Sequence, residues 1–241
     1  TDQQRAVDET SPLVLSGGPG TGKSVVSLWR HIRNHSTGLR NSLLLTYTKT
    51  LEHYLKASAI TQNVNAGNSV DRIFWWLTHN ATNYEEIIID EAQDIEKSRF
   101  QRFLNYSSSV SYGADVRQSV YLTQESLSEL LNWFNTEPKL QANVTITLNR
   151  NFRNSKEILL FTRSVFPNFM IPQNTINGAK STGLKPIMKI NIGWDVDSQT
   201  DEIIDIIGDF QSDTHNIAVL VPTQNMVDSY YNAIRAKLDN K

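Results

Sequence analysis

Residues 12–26, PLVLSGGPGTGKSVV, constrain the fold more tightly than any other stretch of the chain. A short apolar run of strand type leads into Gly17–Ser24, which fit G-x-x-x-x-G-K-[ST] in full, and a segment of helical period follows at once. This order predicts a strand, a glycine-rich turn and a helix N-terminus cradling a phosphate chain. Gly17, Gly18, Gly20 and Gly22 permit positive φ and a close backbone approach, so the amide N–H groups of Gly18, Gly20, Thr21 and Gly22 can face phosphate oxygens, with Pro19, which has no N–H, shaping the turn between them. Lys23 is expected to reach the β- and γ-phosphates, and the Ser24 hydroxyl to bind Mg²⁺.

The rest of the chain repeats the alternation. PLVLS (12–16), SLLLT (42–46), EIIID (86–90), SVSYG (109–113), VTITL (144–148), PIMKI (186–190) and IAVLV (217–221) read as buried strands. Segments 23–35, 49–58, 69–79, 96–105, 124–135, 154–163, 199–210 and 224–238 have helical spacing. Uninterrupted Val/Ile/Leu strands separated by helices predict an α/β fold with a parallel sheet covered on both faces. The polar stretch NTEPKLQAN (135–143) follows a helix that closes the first group, so two domains are expected, 1–140 and 141–241. Residues 166–186, with several prolines and glycines, read as a connection or surface loop.

A second motif completes the chemistry. IIIDEAQD (87–94) sets two acids just past a pure isoleucine run. At a strand's carboxyl end beside the phosphate cradle, Asp90 can hold Mg²⁺ and Glu91 can orient and deprotonate an attacking water. A solvated acidic turn is the competing account, and the preceding P-loop weighs against it. Together the motifs predict hydrolysis of a nucleoside triphosphate, with ATP and Mg²⁺ as ligands. A net charge of −2 leaves any polyanion-binding surface to be local. No apolar run is long enough to span a bilayer, the first residues lack a signal-peptide pattern, and the absence of cysteine fits a reducing, cytoplasmic setting. The five histidines, including the helically spaced His31 and His35, form no convincing ligand set.

A P-loop serves many machines. DQQRAV (2–7), the P-loop, LLLTYTK (43–49), IIIDEAQD (87–94), YGADVRQSVY (112–121), LNRNFRNS (148–155) and IAVLVPT (217–223) occur in the order seen in superfamily 1 helicases. The sequence resembles their UvrD/Rep branch over nearly its whole length. That resemblance implies two RecA-like domains around ATP, the second incomplete here. It makes Gln3 the reader of the adenine edge, with Gln4 as substitute, and Phe152 the ring stacked on adenine where the family usually has Tyr. Gln118 becomes the γ-phosphate sensor, and Arg153 an arginine finger reaching in from the second domain.

For single-stranded DNA (or RNA), the resemblance implies backbone and base contacts by Thr46, Tyr47 and Thr48. Lys49 adds a phosphate contact, and Tyr121 stacks on a base. Trp75 and Trp76, in FWWL, read as core of a helix instead. The family's large insertions and last motifs are not recognisable. The expected protein is therefore a helicase or translocase motor core that binds ATP, hydrolyses it slowly and does not unwind duplex by itself, with the rest of a parent polypeptide as partner. A regulatory nucleotide switch in a larger assembly, with or without a linked nuclease, is the alternative.

Overall fold

A computed structural model describes residues 1–115, 119, 122–168, 171–190, 195–214 and 216–239. The chain separates into two compact units, Thr1–Pro186 and Ile187–Lys241.

The first unit is an α/β layer structure on a six-stranded sheet. The strands are β1 (Leu13–Gly17), β2 (Ser42–Thr46), β3 (Val70–Arg72), β4 (Glu86–Ile89), β5 (Val110–Ala114) and β6 (Val144–Leu148). Their order is β3-β2-β4-β5-β1-β6, and every pairing is parallel. Helices α1 (Asp2–Asp8), α2 (Lys23–Thr37), α3 (Lys49–Ile60) and α4 (Val64–Asn68) come early in the chain. After β3, a turn of helix α5 (Ile73–Trp75) runs into a π-helical turn, Trp76–Asn80. Then come α6 (Lys97–Phe103), α7 (Gln124–Phe134), α8 (Pro138–Gln141), α9 (Lys156–Val165) and α10 (Gln173–Gly178).

Side chains alternate across a strand, so the apolar runs feed both faces. Leu43, Leu45, Ile87 and Ile89 join one core with Phe100, Phe103, Trp133 and Phe134, while Leu44 and Ile88 join another with Leu28, Ile32 and Leu55. Phe100 centres the first core, with Phe103, Tyr112, Trp133 and Phe134 rings all within 5.7 Å, centroid to centroid. Truncating it to Ala would remove about 3–5 kcal/mol. Gly67 packs so closely that an added Cβ would lie 2.2 Å from Ile60 Cγ1.

Four expectations change. VTITL, expected in a second domain, pairs along its whole length with β1, and the chain divides after Pro186 instead. The polar stretch before it is no linker, because Leu140 of α8 is buried in the first core. Segment 69–79 is not one helix: its first residues add β3 to the sheet beside β2, since Val70 faces the second core. Finally, PIMKI and IAVLV do not form strands. Their apolar character is right for a strand, but a strand exists only where a ladder partner does.

The second unit contains α11 (Val196–Phe210) and α12 (Gln224–Leu238). Tyr230 and Ile204 are buried there, and Lys237 pairs with Asp201 at 2.6 Å. Leu220, within IAVLV, is 91% exposed.

Candidate functional site

The P-loop runs from the end of β1 to the start of α2, as its sequence predicts. Gly17, Gly20 and Gly22 have φ of 148°, 75° and 91°, which L side chains rarely adopt; Gly18 does not, and nothing lies within 4 Å of where its Cβ would be. Gly18 thus leaves open space beside the loop rather than supplying a special backbone angle. Lys23 is buried, and its Nζ donates to the carbonyls of Gly17 (2.8 Å) and Gly18 (3.3 Å). The Thr21 hydroxyl also donates to Gly18 O, at 2.9 Å. Gln3 lies against the same turn: its Nε2 donates to Thr21 O at 2.9 Å, and a Cβ on Gly22 would meet that nitrogen at 2.2 Å. Gln4 is exposed and bonds Asp8, so of the two glutamines Gln3 belongs to the loop.

The acids stand at the carboxyl end of β4, separated from β1 by β5 alone. Gly113 of β5 is the spacer: a Cβ there would lie 3.7 Å from both Asp90 Oδ1 and Lys23 Cβ. Two motifs far apart in sequence therefore share one site. Asp90 is fully buried, and neither carboxylate oxygen makes a hydrogen bond. Burial pushes its carboxyl up to about 7, with the Glu91 charge adding to the rise against the pull of Ser24 and Lys23. An orphaned buried carboxylate costs free energy unless something completes it. One carboxylate, the Ser24 hydroxyl and phosphate oxygens are the hard-oxygen donors that suit a magnesium-sized cation. Among the described residues no cluster of three His, Cys, Asp or Glu could hold a metal without such help.

Glu91 is the one non-glycine residue with positive φ among those described, at φ 58° and ψ 48°. That conformation is uncommon for a side chain of this size and is found at functional sites, where the surroundings enforce it. Its carboxylate accepts from Gln93 Nε2 at 2.7 Å, and Gln93 Oε1 accepts from the Asp115 N–H at the end of β5 at 3.0 Å. Gln93, buried in the DEAQD run, was not anticipated from sequence, where a glutamine beside acids reads as solvated.

Phe152 and Arg153 sit on the loop between β6 and α9, within the same unit as the P-loop and not in the second unit. This follows from β6 having joined β1: the chain leaves that strand beside Gly17, whose added Cβ would clash with Leu148 O at 2.6 Å. A Cβ on Gly20 would lie 2.7 Å from Arg153 Cβ. Phe152 is 57% exposed, and the Arg150 guanidinium lies 5.0 Å from its ring centroid. Asn151, buried between them, was also missed in the sequence.

The residues expected to meet a nucleic acid are less uniform. Lys49 is exposed at the first turn of α3. Thr48 caps that helix, accepting from Leu51 N at 3.2 Å. Tyr47 is half-buried, edge-on to Phe74 at 5.2 Å. Thr46 has no exposed surface, because it ends a strand flanked by β3 and β4, and its hydroxyl is unpartnered. Gln118 and Tyr121 fall outside the described residues. Trp76 is core, as expected, but Trp75 is 47% exposed, stacked on His79 at 3.8 Å with Arg72 over its ring.

No protein-family model matches the chain, and no curated protein does. Solved structures do. A Pif1 helicase from Candida albicans matches with a TM-score of 0.42 and 14% identity, over 96% of this chain and 60% of that one. The arterivirus nonstructural protein 10 helicase in complex with DNA gives 0.41 and 13%, over 71% and 44%. The replication initiator DnaA bound to AMPPCP and single-stranded DNA gives 0.34 and 10%, over 96% and 63%. This chain therefore spans less than two thirds of the length of each of these proteins, to which it is similar at low identity.

Proposed function

We propose that the chain is an ATP-binding motor core of a superfamily 1 helicase or single-strand translocase of the UvrD/Rep type. The observation that carries this reading is the meeting of Lys23 and Asp90 across Gly113, with Asp90 buried and neither of its carboxylate oxygens hydrogen-bonded. In this reading the amides from Gly18 to Gly22, with Pro19 and Thr21 shaping the turn, hold the phosphate chain, and Lys23 moves from its loop carbonyls to the β- and γ-oxygens. Ser24 and Asp90 hold Mg²⁺, which when bound neutralises charge developing on the transferred phosphoryl group. Glu91, steadied by Gln93, takes a proton from the attacking water. Arg153, beside Gly20, contributes positive charge at the transferring group, and Gln118 senses its presence.

Gln3 offers its carboxamide to the adenine edge and Phe152 its face to the ring. Lys49, Tyr47 and Tyr121, with Thr46 as support for the strand end, form the contact to single-stranded DNA. Binding and hydrolysis of ATP then alternate the grip on the strand.

The test is ATP turnover by the purified chain with and without poly(dT), alongside Lys23→Ala. Magnesium-dependent turnover that rises with poly(dT) and vanishes in Lys23→Ala supports the motor. Turnover indifferent to single strands overturns the translocase reading, and no binding of ATP overturns the whole.

A further inference from the structure

The loop after β6 does more than carry Phe152 and Arg153. Asn151 is 5% exposed, and its Nδ2 donates to the Pro19 carbonyl at 2.6 Å. Its Oδ1 accepts from the N–H groups of Arg153 (3.0 Å) and Asn154 (2.8 Å), a local turn that asparagine side chains make readily. The next residue continues the attachment, with Phe152 N–H donating to the Gly20 carbonyl at 2.8 Å. Two consecutive P-loop carbonyls are therefore held by the 151–154 turn.

A trans peptide is planar, with its C=O and the following N–H pointing in opposite directions. Drawing the Pro19 carbonyl toward Asn151 turns the Gly20 N–H the other way, and the Gly20 carbonyl bond does the same for Thr21 N–H. Consecutive amides turned to one side make an anion-binding nest. Gly20 is required here for a reason separate from phosphate access: a Cβ would stand 2.7 Å from Arg153 Cβ and 2.9 Å from Asn151 Oδ1.

We propose that Asn151 is a positioning residue that pre-sets the Gly20 and Thr21 amides for a phosphate chain and fixes Arg153 to the same loop. The inference rests on the nucleotide-binding reading given above. It differs from a packing role in what it predicts: binding of the bare phosphate chain must weaken as much as binding of the whole nucleotide.

Asn151→Asp keeps the acceptor that forms the turn and removes the donor that holds Pro19. Asn151→Ala removes both without adding charge. Calorimetric titration of the purified chain with ATP and with inorganic tripolyphosphate, each with Mg²⁺, separates the possibilities. Both variants are expected to bind each ligand about tenfold more weakly, by the same factor, as the loss of one buried hydrogen bond implies. Phe152→Ala should weaken ATP alone. Melting temperatures report folding, and if Asn151→Ala does not fold, Asn151→Asp in 0.5 M salt decides, with its added charge screened. Folded variants that bind tripolyphosphate within twofold of wild type overturn the proposal. Wild type binding tripolyphosphate but not ATP defeats the ATP reading and leaves this one standing; wild type binding neither defeats both.

Discussion

Strand β4 has a buried carboxylate at each end, and the two could hardly be treated more differently. Glu86, at its start, accepts from Arg30 Nε at 2.9 Å and Asn34 Nδ2 at 2.7 Å, and from the Ser111 hydroxyl; Arg40 approaches to 3.7 Å. Arg30 in turn donates to the carbonyls of Glu9 and Ser11, tying the chain before β1 to α2 and β4. Asp90, just past the strand's other end, has no such hydrogen bond, only the influence of the neighbouring Ser24 and Lys23. A saturated buried acid is a fastening, whereas an unsaturated one is a cost that the fold carries for something outside itself. The amino end of the sheet is built to stay closed, and its carboxyl end to be completed.

Substitution of the two acids is the strongest way to break this contrast. Asp90→Asn should reduce magnesium-dependent ATP turnover by about 10²-fold or more while leaving the nucleotide-free fold intact, measured by phosphate release and thermal melting together. Undiminished turnover would mean that Asp90 has no part in the chemistry. Glu86→Gln should act the other way round. It strands Arg30 in the interior, and removing one partner of a buried pair costs about 3–5 kcal/mol, read from denaturant unfolding. If the protein keeps its stability, the fastening is not one.

A subtler measurement uses pH, on the nucleotide- and metal-free protein. Burial pushes His31 down to about 4, although Ala66 O opposes the shift. Between that value and 6.5 the unfolded chain binds more protons than the native one, so stability falls as pH falls. Asp90, raised from 3.8 to about 7, does the opposite: the native state binds more protons in that window, and stability falls as pH rises. The wild-type profile is therefore flatter than either group alone would make it, each contributing about 3 kcal/mol across the window. Asp90→Asn should leave a profile that climbs from pH 4 to 6.5, and His31→Gln one that declines from pH 4 to 7. Parallel profiles in the two variants would refute the pairing. The smallest expected effect is that of Phe152→Ala, about 1–2 kcal/mol in ATP binding from the lost ring face, measured by titration.

The carboxyl end of the sheet was the more legible in sequence. Its glycines, Lys23 and the DEAQD acids are contiguous runs whose spacing is itself the signal, and the isoleucine run before Asp90 announced a buried strand. The fastening was not legible. Glu86 and Arg30 belong to different elements, and nothing local distinguishes Glu86 from the exposed Glu85 before it. Asn151 meets Pro19 only because β6 lies beside β1, a pairing that a polar, proline-bearing stretch before it argued against. β3 is three residues long, too short for periodicity to register against the helical pattern that follows. PIMKI and IAVLV erred in the other direction, since composition supplies the tendency to extend but not the neighbour to extend against.

The lysine of the glycine loop has one more consequence. Its ammonium, on a buried side chain and bonded to the carbonyls of Gly17 and Gly18, has already exchanged two bonds to water for bonds to protein as part of folding. An incoming phosphate oxygen thus exchanges one oxygen partner for another, so less of the cation's hydration has to be stripped at the moment of binding. What affinity remains to be set by the loop is the difference between two kinds of oxygen, neutral and anionic, and that difference favours ligands in proportion to their charge.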